Sequence, residues 1–127
     1  MVGAAVMTAA FFAVVVFSPN ALVDEDWEIV DVCLAGHNEL VSHEHATLRI
    51  FLDGSEVAIA AEIGIDDASC DGLRGIHTHD GTGKLHIETP RTMEAPVGAF
   101  FDIWGETFNE NRILNSVADE DSEVVMY

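Results

Sequence analysis

The chain has 127 residues, 49% of them hydrophobic, with 23 acidic residues against 5 lysines and arginines and a formal net charge of −18. That size allows one domain with a modest core, and the hydrophobic content excludes a disordered chain. The charge excludes nucleic acid as a partner, because phosphate binding needs a basic patch.

Acidity of this degree reads as salt adaptation, as in a halophile, and as a field that concentrates cations. Self-repulsion opposes the compact state at low salt, and the Debye length shrinks from about 30 Å at 0.01 M to about 3 Å at 1 M. Thermal melts taken from low to molar salt are therefore expected to climb. A flat series would mean that the acidic groups are already compensated, for instance by bound cations.

Val2 to Val23 carries no charged residue, and Val2 to Phe17 is almost wholly apolar. As a helix it would rise about 33 Å, enough to span a bilayer core. It lacks the basic flank of a signal peptide, and cleavage after Ala21 would put Pro19 at −3. Residues 1–23 are thus expected to be a membrane anchor or signal segment, with the rest of the chain on the extracytoplasmic face. Ser18-Pro19-Asn20 and the acidic run Asp24-Glu25-Asp26 form a linker. Residues 24–42 hold that linker and a first strand, Trp27 to Cys33, followed by a loop from Gly36 to Ser42.

Residues 43–127 make the folded domain. Leu48, Ile50 and Leu52 alternate with Thr47, Arg49 and Phe51 ahead of Asp53-Gly54, a strong two-residue turn signal. That turn opposes Leu52 to Ser55, Ile50 to Val57 and Leu48 to Ile59. The same parity carried backwards puts His43 and His45 on the opposite, less apolar face. A second hairpin joins Gly75–His79 to Lys84–Thr89 through Asp80-Gly81-Thr82-Gly83. The register that keeps Ile76, Thr78, Leu85 and Ile87 on one face opposes His77 to His86 and His79 to Lys84. It places His77, His79 and His86 together on the other face, with His77 and His86 Cβ atoms about 5 Å apart. Val97, Phe100, Phe101, Trp104 and Phe108 then follow a helical period, with Pro96 in the first turn and Gly105 as a C-cap. Val124 to Tyr127 is strand-like.

Cys33 and Cys70 are the two cysteines. They can form a disulfide, which needs an oxidising compartment, or serve as thiolate ligands. No Cys-x-x-Cys pair supports a zinc ribbon. Neutral imidazole is the commonest side-chain metal ligand, and copper and zinc sites both accept three of them. His77, His79 and His86 are the candidate ligands, with His43 and His45 completing the set or building a second site. Extracytoplasmic location tilts the choice to copper, with zinc as the alternative. Blue-copper chemistry would want a Cys-His-Met cluster that is not present. Glu44, Asp80 and Glu88 lie near the histidines and could orient an imidazole or act as a base. Asp80 is better explained by its turn, and Glu44 and Glu88 by solvation. A cupin reading fails, because Arg49 and Ile50 stand where its glutamate is needed. Serine hydrolase and cysteine protease motifs are absent.

Several runs carry a resemblance. They are His43-Glu44-His45, Leu48-Arg49-Ile50-Phe51-Leu52-Asp53-Gly54, Ile63-Gly64-Ile65, Ile76-His77-Thr78-His79-Asp80, Leu85-His86-Ile87-Glu88 and Phe100-Phe101-Asp102-Ile103-Trp104-Gly105. Residues 43–114 resemble a family of small uncharacterised extracytoplasmic domains in archaea and bacteria. The resemblance implies a fold and a location, usually with an N-terminal hydrophobic segment, and no activity. Those relatives often carry a further histidine where this chain has Thr47, and they continue beyond its end.

The expected fold is α+β: two antiparallel hairpins in one small sheet, a short packed helix and a separate N-terminal membrane helix. The expected function is an extracytoplasmic transition-metal binding module, acting as carrier, sensor or accessory subunit. Its partners would be the metal ion, the membrane through residues 2–23, and a protein in that membrane. The rivals are a metal-dependent hydrolase or oxidase, a non-metal membrane-anchored interaction domain, and a histidine protonation switch.

Overall fold

A computed structural model describes residues 27–37 and 40–127, together with the backbone of Val6–Ala9. Short alternating runs broken by glycine turns give short strands. In chain order these are β1 (Val6–Ala9), β2 (Cys33–Leu34), β3 (Ser42–Thr47), β4 (Ile50–Leu52), β5 (Ser55–Val57), β6 (Ile65–Asp67) and β7 (Cys70–Arg74). They continue with β8 (Ile76–His77), β9 (Lys84–Thr89), β10 (Phe108–Asn109), β11 (Arg112–Ile113), β12 (Ser116–Val117) and β13 (Glu123–Met126). A 3-10 turn, Glu28–Asp31, precedes β2, and the helix α1 (Val97–Trp104) lies between β9 and β10.

The two expected hairpins are present, but they do not share a sheet. β4 and β5 pair through Ile50–Val57 and Leu52–Ser55, as the alternation predicts. Asp53 and Gly54 take left-handed φ values of 51° and 83°, which this hairpin turn requires. That pair belongs to a sheet ordered β13-β1-β4-β5. β8 and β9 pair through Ile76–Ile87 and His77–His86, again in the expected register. The ladder stops at His77, so His79 is not paired with Lys84. β3 leaves the first hairpin and pairs antiparallel with β9 over its whole length, from Ser42–Thr89 to Thr47–Lys84. The second sheet is therefore β3-β9-β8, with β9 in the centre. Gly83 makes the crossing close: a Cβ there would lie 2.4 Å from the Leu48 carbonyl oxygen, and its φ is 84°.

Two smaller sheets, β2-β7-β6 and β10-β11-β12, complete the described residues. The expected strand over Trp27–Cys33 is instead the 3-10 turn followed by β2. Buried Ile29 takes that turn into the core. The helix begins after Pro96 and ends at Gly105, whose φ of 83° allows its N–H to reach the Phe101 and Asp102 carbonyls. Phe108 lies beyond the helix in β10, yet its ring still stacks on Phe101 at 4.8 Å. Phe100, Phe101, Ile29, Leu48, Ile50, Ile76, Leu85 and Ile113 are the largest fully buried apolar residues of the core. Each contributes about 1.5–3 kcal/mol by leaving water.

Cys33 and Cys70 form a disulfide with Cα atoms 5.7 Å apart, tying β2 to β7. Closing a loop with a sequence separation of 37 contributes about 4 kcal/mol in the chain-entropy model. Both thiols are thereby removed as metal ligands. The membrane segment expected over residues 2–23 falls almost wholly outside the described residues. The described part of it, β1, has strand backbone that pairs parallel with β13 and antiparallel with β4. Among the described residues, no helix is long and apolar enough to cross a membrane.

Arg74 connects the disulfide-tied hairpin to the 3-10 turn. Its guanidinium donates to both Asp67 carboxylate oxygens, at 2.9 and 3.1 Å, and to the Val30 carbonyl at 3.1 Å. The Arg74 hydrogen bond is the main reason that the Asp67 carboxyl is pushed down to about 2, with backbone donors adding to it against partial burial. Its folded pKa is lowered, so this stability is present above about pH 4, the unfolded value, and is lost as pH falls through about 2. Asp67 is about one-third exposed, so we expect the pair to contribute only ~1 kcal/mol. Urea unfolding of Asp67→Asn against the parent chain should show that difference at pH 6 and a shrinking one as pH falls through about 2. A difference undiminished across that range would assign it to shape rather than charge.

Candidate metal centre

The β3-β9-β8 sheet has one apolar face and one face of imidazoles. On β9, Leu85 and Ile87 point into the core, so His86 and Glu88 point the other way. The register sets His45 of β3 and His77 of β8 on either side of His86, and His43 opposite Glu88. His79 follows β8 by two residues. His37 comes from the bend after β2, which the disulfide and β7 hold in place. All six histidines of the chain thus meet on one face. Ring centroids lie 4.5 Å apart for His79–His86, 4.6 Å for His45–His86, 4.8 Å for His77–His79 and 4.9 Å for His43–His45. His37 joins through His79 at 5.8 Å.

Among the described residues, two groups have ligand atoms close enough to share an ion. His77, His79, His86 and Glu88 form one, and His43, His45 and His86 form the other, with all ligand atoms of each group within 4.8 Å of one another. The first group has a buried floor, since His77 and Glu88 are both 0% exposed. The second is exposed except for His86, which is half-buried.

The floor is electronically incomplete. His77 Nδ1 lies 2.9 Å from the Arg74 carbonyl and can only donate to it. That fixes the tautomer, leaving Nε2 as a bare acceptor. Nε2 lies 3.2 Å from Glu88 Oε2, a second acceptor. Both atoms are buried and neither has a hydrogen-bond partner among the described residues. The other carboxylate oxygen, Oε1, accepts from His37 Nδ1 at 2.6 Å, and His43 Nε2 stands 3.6 Å from Oε2. An unpaired buried acceptor costs about 1–3 kcal/mol, and more when it is charged. A cation between the two would satisfy both.

Electrostatics keep these groups in ligating form. Burial lowers the His77 pKa, with the Arg74 carbonyl and Glu88 opposing it. Burial and then the like charges of His79, His45 and His77 push His86 down to about 4. For Glu88, burial raises the carboxyl, but the His37 hydrogen bond and the charges of His77, His37 and His43 together hold it below the usual range. Two neutral imidazoles and an ionised carboxylate therefore face one another near neutral pH.

Of the five histidines expected as ligands, His77, His79 and His86 meet in the first group, and His43 and His45 meet His86 in the second. Two residues of the cluster were not expected there. Glu88, read as solvated from sequence, is fully buried. Its signal was its place two residues after His86 on the same strand. His37 had no local signal, because only the β2–β7 pairing brings it to Glu88. Glu44 is exposed, and Asp80 accepts from the Thr82 backbone N–H at 3.0 Å within its turn, as expected. No family model, curated protein or solved structure matches the chain.

Proposed function

We propose that the protein is an extracytoplasmic module that binds a divalent transition metal through His77, His79, His86 and Glu88. The observation that carries this reading is the buried pair of facing acceptors, His77 Nε2 and Glu88 Oε2, which have no hydrogen-bond partner among the described residues. Three imidazoles and one carboxylate suit zinc and copper(II), and copper(II) binds such a set more tightly in the ordinary affinity order. Copper is therefore our first choice and zinc the alternative. Glu88 is better placed as a ligand than as a base for catalysis. It is fully buried, and His37 holds Oε1. This favours a carrier, sensor or accessory subunit over a hydrolase or oxidase. The Cys33–Cys70 disulfide supports a location outside the cytoplasm.

Competition titrations with copper(II) and with zinc at pH 7 test the ligand set. His77→Ala combined with His86→Ala removes two of the four ligands. Loss of an outer partner alone typically costs about 10–100-fold in affinity, so the double variant should lose more than about 100-fold. Unchanged affinity would overturn the assignment.

A further inference from the structure

We infer that the histidine face holds two ions and that His86 bridges them. The inference rests on the metal-binding reading above and adds a second, exposed site to it. The two ligand groups are not separate, since each requires His86. His86 stands on the central strand, between His45 on one side and His77 on the other. Its Nδ1 lies 3.1 Å from His45 Nε2, on the side of the exposed group. The His77 ring lies parallel to it at 5.5 Å, and the His79 ring meets it edge to face at 4.5 Å. A ring engaged through Nδ1 on one side has Nε2 left for the other.

Imidazole has two nitrogens, and its in-plane lone pairs point apart. Bonds of about 2.0–2.1 Å to each nitrogen of one ring would place two ions roughly 6 Å apart. Neutral imidazole carries one N–H. When the second ion binds, that N–H bond breaks and its proton goes to solvent. The freed electron pair forms the new nitrogen–metal bond. His43 and His45 complete the exposed ion's set, while His77, His79 and Glu88 complete the buried one's. The acidic surface favours a second positive ion so close to the first, because the chain carries a net charge of −18.

The test is copper(II) titration of the full metal-free chain, with bound metal counted by mass spectrometry and unpaired spins by integrated EPR. A bridging imidazolate couples two copper(II) spins antiferromagnetically. At liquid-helium temperature, where weak coupling still pairs the spins, we expect the integrated signal to rise to one spin per chain at the first ion and to fall to near zero at the second. His43→Ala combined with His45→Ala alters only exposed side chains. That variant should bind one ion and keep its full signal. His86→Ala should lose the signal collapse altogether. A parent chain that saturates at one ion would overturn the bridge and leave the proposed function standing. Two ions that each keep a full signal, or a collapse that persists in the His43/His45 variant, would also overturn the bridge. A chain that binds no copper or zinc would overturn both readings.

Discussion

Adding copper(II) or zinc to the metal-free chain should raise its melting temperature by about 12 °C or more when free metal is a thousand times the dissociation constant. A ligand that binds only the folded state contributes about 4.1 kcal/mol at that excess. For a domain of this size, each kcal/mol moves the midpoint by about 3–4 °C. The physical source is local. His77 Nε2 and Glu88 Oε2 are buried acceptors 3.2 Å apart, and a cation between them would satisfy both. Scanning calorimetry with and without a chelator measures the shift. A chain whose midpoint ignores both metals would not have a preformed site.

Replacing Glu88 with glutamine should move stability and metal affinity in opposite directions. In the metal-free chain the amide N–H can donate across the 3.2 Å gap to His77 Nε2, while the amide oxygen still accepts from His37. The variant is expected to be as stable as the parent, or more stable by about 1 kcal/mol. It loses the anionic ligand, so affinity for copper(II) or zinc should fall by about 100-fold. Denaturant unfolding and competition titration on the same preparation supply both numbers. If Glu88 were instead a structural ion-pair partner, glutamine would destabilise the chain by about 3–5 kcal/mol and leave metal affinity alone. Finding that pattern would remove Glu88 from the site.

The sequence was informative wherever a side-chain period met a turn. Asp53-Gly54 set the β4–β5 register, and the apolar alternation of Ile76, Thr78, Leu85 and Ile87 set that of β8 and β9. Parity then put His77, His79 and His86 on one face, and His43 and His45 on the face away from Ala46 and Leu48. The helix was legible from its aromatic spacing and Gly105, although its last expected member, Phe108, lies in a strand. A ring can pack on Phe101 equally well from either element.

What the amino-acid order by itself determined, then, was which residues share a face within a local hairpin. The reason is that strand alternation and turn geometry act over a few residues. The tertiary structure decided which faces meet. The pairing of β3 with β9 spans about forty residues and no short-range period encodes it, yet it sets His43 and His45 beside His86 and Glu88. The disulfide and the β2–β7 pairing decided that His37 reaches Glu88. Burial decided the chemistry of Glu88 itself. A glutamate beside histidines reads as solvated in sequence, and only its enclosure by β3, β8 and the His37 bend turns it into a buried charge facing His77 Nε2.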